Sequence, residues 1–270
     1  MIDSHCHLDV AVFDDDRAAM LARAATAGVT GMLVPAIRPD TWTALAAMLG
    51  RHPAAPLAIA LGVHPQIVPE LTDGEHTAIA DLTAAIATAR TPATVAVGEC
   101  GLDGGTGERA RQEQIFRAHI RAARELRLPL VVHVRRAHDT AASILRDERA
   151  AEVGGVMHSY SGPPDLIPIY RELGFAFSFA GAVTRASARK PLAAAAAVPD
   201  ELLLCETDAP DQTPGPGGEA GGRGRNEPAH LAEIIAALAR IRGRSVAEVA
   251  ASTAANARRI FSAWAGSAPR

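Results

Sequence analysis

Ile2-Asp3-Ser4-His5-Cys6-His7 opens the chain with the pattern that decides its fold: a short apolar head that runs into paired metal-ligating side chains. Side chains alternate faces along a strand, so His5 and His7 point one way and Cys6 the other. Two imidazoles side by side at a strand's end can grip one divalent ion. A lone His-x-His is weak evidence, but here the arrangement recurs. Glu99, His133, His158 and Asp208 each stand at the end of an apolar run of their own.

The β-rich runs cover residues 2–7, 29–36, 57–64, 94–99, 130–134, 155–159, 175–180 and 202–207. Between them lie Ala/Leu/Arg-rich stretches of helical pattern at 15–27, 40–51, 75–89, 108–126, 137–149, 164–173, 187–197 and 227–240. Eight strand–helix repeats in about 250 residues predict an α/β protein, a (β/α)8 TIM barrel forming one domain over residues 1–270. The alternative, a doubly wound open sheet, would place a Gly-rich phosphate turn after the first strand, and none is there. Gly28 and Gly174 stand where helices end. Ser245-Val246-Ala247-Glu248 has the form of a capping box and starts an extra C-terminal helix reaching about Phe261. The tail after Trp264 reads as frayed. The low-complexity segment 214–224 falls between the eighth strand and eighth helix, on the face where barrel active sites lie, as a loop insertion or a lid.

A net charge of −3 gives no global basic field, which argues against a protein that coats DNA. It leaves room for an enzyme that holds a few phosphates with metal ions and local arginines. No stretch is apolar enough to span a bilayer, and no charged leader precedes the first strand. Three cysteines do not make a disulfide framework. The expectation is a soluble, reduced, cytoplasmic protein with no obligate protein partner.

In the barrel register, His5, His7, Glu99, His133, His158 and Asp208 collect at one mouth. Four histidines and two carboxylates suit two divalent metal ions per chain that share a carboxylate bridge, with Glu99 the natural bridging residue. Nitrogen-and-oxygen ligation puts Zn first, with Mn, Fe or Co also suited and Mg less so. His64, closing the third run before Pro65, would face the substrate. Arg135 and Arg225 are the best clamps for a phosphate or carboxylate, because guanidinium offers a bidentate fork. Glu206 shares parity with Asp208 and should sit one layer below it, orienting a histidine or balancing charge. Cys6, Cys100 and Cys205 have the opposite parity to their ligand neighbours and should pack between strand and helix. His52, His76, His119, His138 and His230 lie in or beside helical segments and read as solvent-facing.

These landmarks resemble the TatD family of metal-dependent hydrolases, amidohydrolase-like barrels, along essentially the whole chain. The match runs through Asp3-Ser4-His5-Cys6-His7-Leu8-Asp9, Gly62-Val63-His64-Pro65, Gly98-Glu99-Cys100-Gly101-Leu102-Asp103 and Gln112-Glu113. It continues through His133-Val134-Arg135, His158-Ser159-Tyr160-Ser161-Gly162, Glu206-Thr207-Asp208-Ala209-Pro210, Arg225-Asn226-Glu227-Pro228 and Asn256-Ala257-Arg258-Arg259-Ile260-Phe261. The resemblance implies one metal on His5, His7, Glu99 and Asp208, and another on Glu99, His133 and His158. It also implies a 3′–5′ exodeoxyribonuclease acting on single-stranded DNA, with water activated by metal and Asp208 taking the proton. Rival expectations are a D-aminoacyl-tRNA deacylase, or another ester hydrolase on the same site, and a non-catalytic scaffold, which would be expected to have lost a ligand. The chain departs from the family where Gly104-Gly105-Thr106-Gly107 replaces an aromatic residue after Gly-Leu-Asp. It departs again where Arg136 replaces an acid two residues after Val134, and where Ser159-Tyr160 follows His158.

Overall fold

A computed structural model describes residues 1–49, 57–216 and 224–262. Its strands are β1 (Ile2–Asp3), β2 (Gly31–Pro35), β3 (Leu57–Leu61), β4 (Thr94–Asp103), β5 (Leu130–Arg135), β6 (Gly155–Met157), β7 (Phe175–Phe179) and β8 (Leu203–Cys205). Each pairs in parallel with the next, in chain order. The ring closes where the Ser4 amide donates to Cys205 O (3.1 Å) and, one step higher, the Asp208 amide donates to His5 O (2.9 Å). The predicted eight-stranded barrel is therefore present.

The strands are apolar at one end and polar at the other, and that division positions the site. Leu33, Ala58, Val131, Val156, Ala176 and Leu204 fill the lower interior. Two residues further along the same face stand His133 above Val131, His158 above Val156, Ser178 above Ala176 and Glu206 above Leu204. The extra C-terminal helix, at 246–260, closes the apolar end, with Ala254, Ala257 and Phe261 joining the inner cluster. Its capping box forms as read, with the Ser245 side chain accepting from the Glu248 amide. Cys6, Cys100 and Cys205 are unpaired and buried in the strand–helix layer, as alternation requires.

The helices are α1 (Arg17–Thr26), α2 (Trp42–Leu49), α3 (Asp73–Ala80), α4 (Leu82–Ala89), α5 (Arg109–Leu126), α6 (His138–Asp147), α7 (Ile167–Glu172), α8 (Arg189–Ala197), α9 (Leu231–Arg242) and α10 (Val246–Ile260). The single helix expected over 75–89 is two. Asp81 breaks it, with a non-helical backbone (φ −128°, ψ 73°) and a side chain that accepts from the Ala84 amide to cap the second half. Asp prefers caps to helix interiors for this reason. The strand expected to run from residue 2 to 7 ends at Asp3, and irregular chain carries His5 and His7 the rest of the way. Most of the Gly-rich segment (217–223, including Arg223), His52 and the tail after Trp264 lie outside the described residues. The ends of that Gly-rich segment are tied together, the Thr213 hydroxyl donating to Gly224 O at 3.0 Å. Among the described residues no helix is long and apolar enough to cross a membrane.

Beyond β2, Arg38 makes a two-pronged bond to Glu75 at the start of α3, each contact 2.8 Å long. The guanidinium holds the Glu75 carboxyl down to about 2. A carboxyl depressed in the folded state contributes stability above its unfolded pKa and loses it as pH falls through the folded value. Glu75→Gln should cost about 1–3 kcal/mol at neutral pH, discounting for the partly exposed arginine. In urea titrations the gap between parent and variant should shrink as pH falls from about 4.5 toward 2. A gap that does not change with pH would mean that the ion pair contributes nothing.

Candidate metal centre

At the polar mouth, Glu99 is fully buried and lies between two groups of imidazole nitrogens. Its Oε2 faces His5 Nε2 (3.0 Å) and His7 Nε2 (3.4 Å). Its Oε1 faces His158 Nε2 (2.8 Å), His64 Nε2 (2.9 Å) and His133 Nδ1 (3.1 Å). Asp208 Oδ1 approaches His5 and His7 from the other side, at 3.6 and 3.7 Å. Glu99 can sit this deep because Gly62 presses on the backbone beneath it. A Cβ on Gly62 would come within 2.5 Å of Gly98 C and 2.6 Å of Glu99 O.

The donor set fits divalent metal. No ring nitrogen is well aligned to donate to either Glu99 oxygen, although several lie close, so the rings aim at points near the carboxylate more than along N–H···O lines. A buried carboxylate without donors demands a cation. A tetrahedral ion with bonds of about 2.0–2.1 Å separates its ligand nitrogens by about 3.3 Å. His5 and His7 Nε2 are 3.2 Å apart, and His133 Nδ1 and His158 Nε2 are 3.1 Å apart.

The electrostatics favour positive charge beside Glu99. Burial alone would raise Glu99, but the His158, His64 and His5 charges outweigh it and hold the carboxyl well below its ordinary range. Burial likewise opposes protonation of His158, yet Glu99 and Glu206 outweigh it and raise that ring well above its usual value. Burial pushes His7 down to about 3 and Asp208 up to about 6. His7 thus offers a lone pair at neutral pH, which is the form a metal needs.

Outer partners fix several of these rings. Glu206 is buried under His158, its Oε1 3.5 Å from Nδ1 and accepting from the Ser159 amide (2.6 Å), its Oε2 accepting from Ser178 (2.5 Å). Parity turned it inward, below Asp208, and the ring it faces is His158. Asp103, which sequence reasoning quoted but gave no role, lies 3.4 Å from His133 Nε2. It also accepts from Gln66 Nε2 (2.8 Å) and the Gly105 amide (2.6 Å). The signal was available, because residues 99, 101 and 103 share strand parity. Gln212, also overlooked, donates to Asp208 Oδ2 and to Ser159 Oγ, both at 2.5 Å. Carboxylates behind ligating histidines typically change metal affinity 10- to 100-fold. Asp103→Asn should therefore weaken zinc at the His133 side by about ten-fold or more in a chelator competition, leaving the His5–His7 side nearly unchanged. Equal weakening of both sides would detach Asp103 from His133.

The remaining sequence-predicted residues divide. His64 and Arg135 line the same cavity of 720 Å³ as Glu99, His133, His158 and Asp208. Among the described residues Arg135 is its only lining cation, and Val12, Ile37, Ile67, Phe179 and Val183 give it apolar walls. Arg225 is not on that lining. It bonds both oxygens of Asp16 at 2.6 Å and the Val12 carbonyl at 2.5 Å, with its guanidinium 4.5 Å over the Phe13 ring. A clamp already engaged by a carboxylate bolsters the rim and does not reach the cavity. His119 is fully buried, not solvent-facing, accepting from the Val63 amide at Nε2 (3.0 Å) and bonding Ile115 O at Nδ1 (2.7 Å). His138 is half-buried against Tyr170.

The TatD related DNase family matches residues 2–262. The uncharacterized metal-dependent hydrolase YabD of Bacillus subtilis is 31% identical over 97% of this chain and 98% of its own. A 3′-5′ ssDNA/RNA exonuclease TatD from Rahnella sp. is 32% identical over 97% and 98%. The solved structure of the TatD homolog YjjV from Escherichia coli superposes with a TM-score of 0.87, at 32% identity over 97% of this chain and 98% of that one. A barrel whose polar mouth is built for divalent metal, matched end to end by such relatives, places the chain in the TatD family of metal-dependent hydrolases.

Proposed function

We propose that the chain is a two-metal 3′–5′ exonuclease of single-stranded DNA. The observation that carries the metal count is Glu99: each of its oxygens serves a different nitrogen group, as a bridging carboxylate must. His5, His7, Glu99 and Asp208 would hold one ion, and Glu99, His133 and His158 the other. Divalent ions held there would supply Lewis-acid chemistry, lowering the pKa of water and drawing charge from the phosphate.

The chain's own residues do the rest. Asp208, a carboxylate with an elevated pKa, accepts the attacking water's proton at a carboxylate oxygen. His64 Nδ1 already accepts from the Gln66 amide at 3.1 Å, so in the neutral ring Nε2 carries the proton. His64 Nε2 stands 2.9 Å from Glu99 Oε1, so this N–H faces the carboxylate at the cavity wall and offers a metal no lone pair. Arg135 pairs with a non-bridging phosphate oxygen, and the apolar walls exclude bulk water. The substrate class follows the relatives named as ssDNA/RNA exonucleases.

A second reading is another ester on the same site, such as D-aminoacyl-tRNA, whose apolar side chains the walls would receive. Nuclease action leaves shortened oligonucleotides, whereas deacylation leaves intact tRNA and a free amino acid. The deciding experiment compares linear and circular single-stranded DNA of one composition. Linear strands should shorten from the 3′ end while circles persist, and binding should weaken with salt on a shallow slope of about −1 to −3 in log–log terms. Circles cut as fast as linear strands would end the exonuclease reading.

A further inference from the structure

Two departures from the family pattern, 30 residues apart in sequence, meet at one rim of the metal cavity. Gly104-Gly105 follows β4, and Arg135-Arg136 ends β5. A Cβ on Gly104 would lie 2.7 Å from Arg136 O and 3.1 Å from Arg136 Cβ, and one on Gly105 would lie 2.9 Å from an Arg135 guanidinium nitrogen. The two arginines occupy space that side chains at 104 and 105 would fill.

The two arginines line different cavities. Arg135 lines the metal cavity, with Asp103 at 3.6 Å. Arg136 takes a left-handed backbone (φ 54°), which breaks strand alternation, and lines a second cavity of 350 Å³ with Arg109, His138 and Thr140. Asp139 is the one carboxylate on that lining. Among the described residues Arg136 has no acidic partner, and Arg109 meets Glu113 only through Nε, at 2.9 Å. The linings of the two cavities come together at one ring pair. The His138 ring lies 5.6 Å from Tyr160, which lines the metal cavity.

A chain of net charge −3 attracts a polyanion only where cations are gathered. The metal cavity is lined by one arginine, enough for one phosphate, and the neighbouring cavity by two more, of which Arg136 has no acidic partner among the described residues. Guanidinium forks suit phosphate oxygens. We propose that Arg136 and Arg109 form a backbone subsite for the phosphates upstream of the scissile linkage. The single strand passes from the metal cavity over the Gly104-Gly105 rim into the second cavity. This subsite rests on the exonuclease reading.

The test uses the full chain with Arg136→Asn, chosen because Asn tolerates the left-handed backbone, combined with Arg109→Gln. Substrates are bis(4-nitrophenyl) phosphate, which has a single diester, and single-stranded oligonucleotides of two to eight nucleotides. In the parent, kcat/KM should climb with length over the first few nucleotides. In the double variant that climb should shrink by about ten-fold, the scale of a lost charge-assisted contact, with the small diester within about two-fold of the parent. Binding of a labelled octanucleotide to chelator-treated protein should show a salt slope shallower by about 1. Arg136→Lys should retain part of the length effect. Parent and double variant with the same length profile, or equal losses on the diester and the oligonucleotides, would overturn the subsite alone. A parent that cleaves the diester but no oligonucleotide would overturn the exonuclease reading and the subsite with it.

Discussion

Asp208→Asn lowers turnover by about 10²-fold or more and leaves the barrel folded, if the aspartate is the proton acceptor. Asparagine keeps a ligand oxygen and removes the basic site. The backbone constraint is also met: Asp208 sits at φ 56°, in the left-handed region where Asp and Asn are the least strained side chains after glycine. Its amide still donates to His5 O, so closure of the strand ends does not depend on the carboxylate. Steady-state rates with thermal unfolding of the same preparation separate chemistry from folding. An Asn variant with the parent's rate and pH dependence would remove Asp208 from the proton path.

The second large effect belongs to Glu99. Glu99→Gln should reduce bound metal at both positions, whereas His158→Ala should chiefly empty one. The amide has one oxygen to share and turns an N–H, which cannot ligate, toward one of the two ion positions. Elemental analysis of the purified, undepleted proteins reads this directly, up to two ions for the parent and well under half of that for Glu99→Gln. Full occupancy in Glu99→Gln would mean that the carboxylate does not bridge.

Strand parity and helical period made most of this molecule legible. The polar residues ending β5, β6 and β8 point inward because Val131, Val156 and Leu204 do, two residues earlier on the same face. Parity set Glu206 inward, one layer below Asp208, where it faces His158 Nδ1, and turned the three cysteines outward. The failures have local causes. Asp81 interrupts an unbroken helical pattern because its side chain caps more favourably than it continues. His119 lies on the apolar face of α5 with Ile115, Phe116 and Ile120, so its burial was visible in the period and was passed over because histidine is polar. Arg225 could not be placed from sequence, since its partner Asp16 comes from the far end of the chain and only the closed ring brings them together.

The hydrogen bond between Thr213 and Gly224 holds residues 213 and 224 together, and Arg225 moors the chain beyond them to Asp16. Lengthening a segment pinned in this way changes mainly its closure entropy, about 0.6 kcal/mol for each doubling. Changes of length between these two anchors are therefore cheap beside changes at the metal ligands. That tolerance makes the segment a natural place for a designer to graft a recognition peptide.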